Sequence, residues 1–325
     1  MANIKDVAKH AKVSVATVSR FLNKKGYVSD AAKENIEAAI VELNYRPNQV
    51  ARSLSTKQTN LIGLIVPDIT NPFFPELARA VEDIALSYGY TVVLCNSDEK
   101  AEKEELYIQM LTQKYVAGFI VTTNELDAPH YKELAVPIVA LDRFINASIP
   151  TVTTDNVEGA RIGTRHLLAC GVKNIVCMRG PTGLGPADDR VKGFLEAIAG
   201  KKVHAQIVEC PFSFEASEKV AEKMLKDHPD IDGIFASSDT SAIAVLKVAK
   251  EMGRHVPNDL QIVGFDGVQL GQMVSPGLTT VAQDIYKMGA YATRMLIKMI
   301  ENTSLTEKNV TVPAQLIVRG TTRKE

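Results

Sequence analysis

Residues 61–96 read LIGLIVPDITNPFFPELARAVEDIALSYGYTVVLCN. Leu61–Val66 is a continuous apolar run of strand length, stopped by Pro67. A buried strand has this pattern, because both of its faces must be dry. The segment PFFPELARAVEDIALSYG then carries apolar residues at helical spacing and ends at Gly89, where a helix stop is favoured. YTVVLCN follows as a second apolar strand. Strand, helix and strand in this order make a unit whose strands run parallel.

The same alternation continues outward. AEKEELYIQMLTQK reads as a helix, VAGFIVTT as a strand, and PIVALDR as another strand. A second series runs through GARIGTRHLLACG, NIVCMRG, RVKGFLEAIAG, AQIVEC, SEKVAEKMLKDH, GIFASS, SAIAVLKVAKEMG and QIVGFDG. Two such series predict a two-lobed α/β core over 61–325 with parallel, doubly wound sheets. Lobe 1 is expected over about 61–156 and 285–310, and lobe 2 over about 157–284 and 311–325. Three chain crossings, near 157, 284 and 311, would leave a hinge between the lobes.

Ligands of such sheets sit outside the carboxyl ends of the strands. Asn71, Phe73 and Phe74 follow the first strand, and Asp142 and Arg143 follow PIVAL. Arg190 lies beyond the glycine-rich loop after NIVCMRG, and Phe212 follows AQIVEC. Ser238 and Asp239 follow GIFA, Asp266 follows QIVGF, and Gln283 follows LTTVA. Rings stack on the apolar faces of a sugar, while carboxylates, guanidiniums and amides match its hydroxyls as acceptors and donors. The set therefore suits a neutral polyol. Taken singly, a Phe at a strand end is core and an Asp there caps a helix.

With 325 residues the chain is long enough for two or three units. Its four cysteines, Cys95, Cys170, Cys177 and Cys210, form no CxxC pair and read as buried or free thiols in a reducing cytoplasm. No apolar run approaches the length of a membrane span, and MANIKDVAKHAKV lacks an apolar signal core, so a cytoplasmic protein is expected. GPTGLG at 180–185 has neither the Walker lysine nor dinucleotide spacing. The six histidines lack metal-ligand spacing, DHPDIDG lacks the closing glutamate of a calcium loop, and there is no GxSxG elbow. No catalysis, cofactor or metal is expected.

Charge is uneven. Residues 1–60 hold ten Lys or Arg against five Asp or Glu, a net +5, while the whole chain is −1. A basic head on an acidic body suggests a polyanion partner for the head. NIKDVAKHAKVSVATVSRFLN reads as two helices, the first capped by Asn3 and the second by Ser14. Val18 and Leu22 of the second face inward. GYVSDAAKENIEAAIVELNY gives a third helix, capped by Ser29, with Ala32, Ile36, Ala39, Ile40 and Leu43 as its buried stripe. Such a trio is a helix-turn-helix domain, expected over 1–46, or a small bundle used for dimerisation. In the first case Arg20 is placed for guanine, Val15 and Ala16 for thymine methyls, and Ser14 and Thr17 for phosphate.

IKDVAKHAKVSVATVSRFLN followed by YRPNQVARSL resembles the N-terminus of the lactose-repressor family of bacterial transcription regulators. The resemblance implies a hinge, within 47–60, that turns helical only on operator DNA. Asn48, Val50, Ala51, Arg52, Leu54 and Ser55 would then contact DNA, with Leu54 as the apolar wedge in the minor groove. It also implies a homodimer on a palindromic operator. TNPFFPEL, LDR, DDRVKGF, GFDG and VAQ resemble ribose-binding proteins of the periplasmic type, and among repressors the chain most resembles those of ribose operons. By that resemblance Phe73, Phe74 and Phe212 sandwich D-ribose, while Asn71, Asp142, Arg143, Arg190, Asp266 and Gln283 bind its hydroxyls. Ser238 departs from the pattern, which has asparagine there. A solute-binding protein fits the body but not the head, and a sugar enzyme lacks a visible base or nucleophile. Another pentose, a purine or a phosphoprotein coeffector remains open.

Overall fold

The computed structural model describes residues 2–22, 26–45, 59–123, 125–126 and 128–324. The chain divides into two units, 1–59 and 60–325. The expected hinge contacts, Asn48, Val50, Ala51, Arg52, Leu54 and Ser55, lie outside the described residues.

The first unit holds α1 (Ile4–His10), α2 (Val15–Leu22) and α3 (Asp30–Glu42). Asn3 caps α1: its Oδ1 accepts from the Lys5 amide at 2.8 Å, and Asp6 accepts from the Asn3 amide in return. This reciprocal box satisfies amides that have no partner inside the helix. Ser14 caps α2, its Oγ accepting from the Thr17 amide at 3.1 Å. Ser29 was expected to cap α3 with its hydroxyl. It holds the position through its backbone instead, its carbonyl accepting from the Lys33 amide, and its side chain makes no capping bond. Val7, Val18, Ile36 and Ala39 are fully buried at the centre of the trio, and Val28 and Tyr45 close the core from the flanking segments.

The second unit contains two six-stranded sheets. The first is built from β1 (Leu61–Val66), β2 (Thr91–Asn96), β3 (Gly118–Val121), β4 (Ile138–Leu141), β5 (Thr151–Thr154) and β11 (Asn309–Val312), in the order β11-β5-β4-β3-β1-β2. All its pairs are parallel. The helices α4 (Phe73–Ser87) and α12 (Ile285–Ile300) bury one face, and α5 (Ala101–Gln113) and α6 (Ala128–Lys132) cover the other. The second sheet is built from β6 (Asn174–Arg179), β7 (His204–Glu209), β8 (Gly233–Ala236), β9 (Gln261–Asp266), β10 (Thr279–Ala282) and β12 (Gln315–Ile317), in the order β12-β10-β9-β8-β6-β7. Only the edge strand β12 is antiparallel, pairing with β10. The helices α7 (Asn156–Ala169) and α8 (Gly185–Ile198) pack on one face, and α9 (Phe214–Asp227) and α10 (Asp239–Glu251) on the other. The short α11 (Leu270–Met273) lies between β9 and β10.

Both sheets place apolar strands between two helix layers, which is why β1, β3, β4, β8 and β9 are dry on both faces. Each fully buried Leu, Ile or Phe contributes about 1.5–3 kcal/mol. The chain passes between lobes at three points: after Thr154, after Ala282, and between Val312 and Gln315. The four cysteines are buried, and none is in a disulfide.

In lobe 2, α7 and α8 approach so closely that a Cβ on Gly193 would sit 2.1 Å from the Val157 carbonyl oxygen. Backbone cannot yield there as a flexible side chain would. Gly193→Ala is expected to destabilise the second unit by about 1–3 kcal/mol, seen as a lower urea midpoint at unchanged m-value. An unshifted midpoint would contradict this packing.

Candidate effector cleft and nucleic-acid interface

Between the lobes lies a cleft of about 620 Å³. Lobe 1 lines it with Asn71, Phe73, Phe74, Thr122 and Asp142; lobe 2 lines it with Arg190, Phe212, Ser238 and Asp266. Most of these residues stand just beyond the carboxyl ends of strands, where ligand sites of parallel sheets form.

Arg190 is the only cation among the described lining residues. Its Nε donates to Asn156 Oδ1 at 2.8 Å, and its Nη1 to the Ser237 carbonyl at 2.5 Å and Asp266 Oδ1 at 3.3 Å. The guanidinium lies 3.8 Å from the centroid of the Phe265 ring, so it is stacked as well as hydrogen-bonded. Gln283 Nε2 donates to the same Asp266 oxygen at 2.7 Å. Burial pushes the Asp266 carboxyl up to about 6, against the lowering effect of Arg190 and Gln283. Asp142, across the cleft, is pushed up to about 7 by burial; Arg190 opposes this and Asp266 adds to it. Asp142 Oδ1 is sealed from solvent and has no partner among the described residues. Both carboxylates sit on left-handed backbone, at φ 55° for Asp142 and 116° for Asp266. Non-glycine residues rarely adopt this conformation, and where they do it clusters at functional sites.

The aromatic walls have separate supports. Phe73 and Phe74 meet edge to face at 5.2 Å, and Phe73 is also part of the lobe 1 core. The Phe73 amide donates to Asn71 Oδ1 at 3.1 Å. Phe212 lies against bare backbone at Gly180, where a Cβ would come within 2.2 Å of the ring. GPTGLG thus contributes to the cleft, with Pro181, Thr182, Gly183 and Leu184 on its wall.

Two expected hydroxyl binders are not on the lining. Arg143 is buried and turned onto lobe 1, with Nη2 donating to the Leu126 carbonyl at 3.3 Å and Nη1 to Tyr131 Oη at 3.5 Å. The Tyr131 hydroxyl in turn donates to the fully buried Glu104, a contact between residues 27 apart in sequence that spacing does not reveal. Gln283 stands behind Asp266 and holds it. Ser238 does line the cleft, but its hydroxyl caps α10: Oγ accepts from the Ser241 amide at 3.1 Å and donates to Ser241 Oγ at 3.0 Å. Asn156 and the acidic rim of Asp68, Asp98, Glu99 and Glu125 were not anticipated. Asn156 follows β5, whose sequence TVTT has no apolar run to announce a strand end.

In the first unit, Ser14, Val15, Ala16 and Arg20 are exposed on α2, and Thr17 is half-buried. Val15 is 40% exposed although Val18, one turn on, is at 0%. The Ser14 and Thr17 hydroxyls are 2.8 Å apart. Tyr27, 87% exposed beyond α2, joins this unit's surface and was not singled out from the sequence.

Residues 59–320 match the model of periplasmic binding proteins and the sugar-binding domain of the LacI family, and residues 3–48 match that of bacterial regulatory proteins of the lacI family. The chain belongs to the LacI family of bacterial regulatory proteins. It is 55% identical over 323 residues to a ribose operon repressor of Halalkalibacterium halodurans, covering 99% of this chain and 98% of that one. A lac repressor dimer bound to operator and an anti-inducer superposes with TM-score 0.86 at 27% identity, covering 98% of both chains. A LacI-family regulator from Enterococcus faecium with bound ribose superposes with TM-score 0.74 at 27% identity, covering 81% of this chain and 98% of that one. No helix among the described residues is long and apolar enough to cross a membrane, and no group of metal-ligating side chains occurs among them.

The raised carboxyls carry a signed consequence. Asp142 and Asp266 hold their protons to higher pH in the folded chain than in the unfolded one. From about pH 4 to about 7 the folded chain therefore binds more protons, and their contribution to stability is lost as pH rises. Asp142→Asn removes one of these titrations. Urea unfolding is expected to show a shallower fall of stability across that window in Asp142→Asn than in wild type; equal slopes would contradict the assignment.

Proposed function

We propose that this chain is a sequence-specific DNA-binding repressor of a ribose-utilisation operon, released from its operator when D-ribose occupies the cleft between the lobes. The observation that carries this reading is the cleft itself. One stacked guanidinium between two carboxylates, walled by Phe73, Phe74 and Phe212, offers paired donors and acceptors and apolar ring faces to a neutral polyol. The full-length likeness to a ribose operon repressor supports the same choice. The reading involves no chemical step and places the protein in the cytoplasm as a homodimer on a palindromic operator.

In this mechanism α2 enters the major groove with Arg20, Val15 and Ala16 toward base edges and Ser14 and Thr17 toward phosphate. Asn48, Val50, Ala51, Arg52, Leu54 and Ser55 engage the minor groove, where Leu54 wedges the central base step. In the cleft, Asn71, Asp142, Arg190 and Asp266 bind hydroxyls, while Arg143 and Gln283 act from behind. Sugar favours the lobe arrangement that separates the two hinges of the dimer. DNA must then weaken sugar binding by the same factor. Because the Ser238 hydroxyl is committed to a helix cap, one hydrogen bond of the ribose pattern is lost or carried by water. That observation favours, as second reading, the same repressor responding to another pentose.

Fluorescence anisotropy of a labelled palindromic operator from the gene's own neighbourhood, at fixed salt, tests the reading. D-ribose is expected to weaken operator binding by at least about fivefold, allosteric coupling being typically about 1–3 kcal/mol. Tight binding unmoved by ribose but relieved by another pentose would support the second reading. In Arg190→Ala the sugar response is expected to vanish while operator affinity without sugar stays at the wild-type value. Loss of operator affinity in that variant would contradict the site.

A further inference from the structure

Asp239, the first residue of α10, is fully buried and does not line the cleft. Its carboxylate turns away from its own helix. Oδ2 accepts the backbone amides of Gly267 at 2.8 Å and Val268 at 2.9 Å, and Oδ1 accepts the Thr280 hydroxyl at 2.6 Å. The bare backbone of Gly264 makes room for it: a Cβ there would lie 2.3 Å from Asp239 Oδ1. A carboxylate serving only as a helix cap would bond amides of its own first turn. This one bonds the turn that follows β9.

That turn spans the lobes. It begins at Asp266, the cleft carboxylate on left-handed backbone, and continues through Gly267 at φ 79°. The next side chain, Val268, is 1% exposed and packs into the core of lobe 1 with residues of α4 and α12. The Gln269 amide then donates to Glu76 Oε1 of α4 at 2.8 Å. Four consecutive residues therefore lead from the sugar-facing carboxylate to the opposite lobe, and Asp239 grips the middle two. Strained backbone persists only where its surroundings over-determine it.

We propose that Asp239 is a positioning residue for the effector site: it clamps residues 266–269 into a rigid bracket that aims Asp266 at the sugar and ties it to lobe 1. The proposal rests on the effector reading above. Asp239→Ala removes the clamp. Asp239→Asn keeps it, because an amide oxygen can accept both backbone amides while its nitrogen donates to the Thr280 hydroxyl. Thr280→Val is near-isosteric and removes only the Oδ1 donor.

The test uses the full-length chain and three readouts: calorimetric titration with D-ribose, operator anisotropy without sugar, and amide exchange across 264–270. Asp239→Ala is expected to weaken ribose binding by roughly tenfold or more, Thr280→Val by about threefold or more, and Asp239→Asn by less than about threefold. Operator affinity without sugar is expected to be unchanged in all three, and the Gly267 and Val268 amides to lose protection in Asp239→Ala. A merely structural role would lower thermal stability in Asp239→Ala and Thr280→Val with no matching loss of sugar affinity; that result, or unchanged amide protection, overturns the proposal. If Asp239→Ala does not fold, Thr280→Val and Asp239→Asn decide it by the same affinities. Should the wild type bind no ribose, the effector reading falls, and the bracket is judged by the exchange of Gly267 and Val268 alone.

Discussion

One buried cation organises the second unit. Arg190 is held by Asn156, by the Ser237 carbonyl and by the face of Phe265, and it stands between carboxylates from both lobes. Isolated charge in such a site is costly, so the carboxyls answer by holding protons more tightly than they would in water. Asp142 is furthest from satisfaction, with one oxygen sealed and unpartnered among the described residues. A neutral ligand rich in hydroxyls relieves this condition without adding charge. A second anion would worsen it, since the rim already carries Asp68, Asp98, Glu99 and Glu125.

Much of this was legible in the sequence. The apolar strands LIGLIV, GFIV, IVAL and GIFA are dry on both faces and announce themselves as unbroken runs. The carboxyl ends of LIGLIV, IVAL, GIFA and QIVGF then point to Asn71, Asp142, Ser238 and Asp266 directly. The Thr-rich strand TVTT and the edge strands NVTV and QLI carry no such run, and they went unseen, as did Asn156 just beyond TVTT. Arg143 shows a different limit. Adjacency to Asp142 placed it at the right strand end, but side-chain direction was decided by Glu104 and Tyr131, which come from α5 and α6. Likewise Ser238 could be counted as a pocket residue, whereas its capping bond depends on the start of α10. Partners distant in sequence are invisible to spacing.

The lobes are linked by more than their three chain crossings. Residues 266–269 join the cleft to α4, so a change at Asp266 has a short route to lobe 1 through the packing of Val268 and the Gln269–Glu76 hydrogen bond. Such a route matters because a ligand shifts an equilibrium only through contacts that differ between its states. The first unit provides the other half of the function. Its α2 leaves Val15, Ala16 and Arg20 exposed, outside the small core that Val7, Val18, Ile36 and Tyr45 build.

Burial keeps the Asp142 and Asp266 carboxyls protonated to higher pH than usual, so a sugar that hydrogen-bonds to their ionised forms is expected to displace a proton. Calorimetry of D-ribose binding at about pH 6.5, in two buffers of different ionisation enthalpy, measures this directly. The expected heat depends on the buffer and reports net proton release, and that dependence shrinks in Asp142→Asn. Binding with no buffer dependence in the wild type would contradict it.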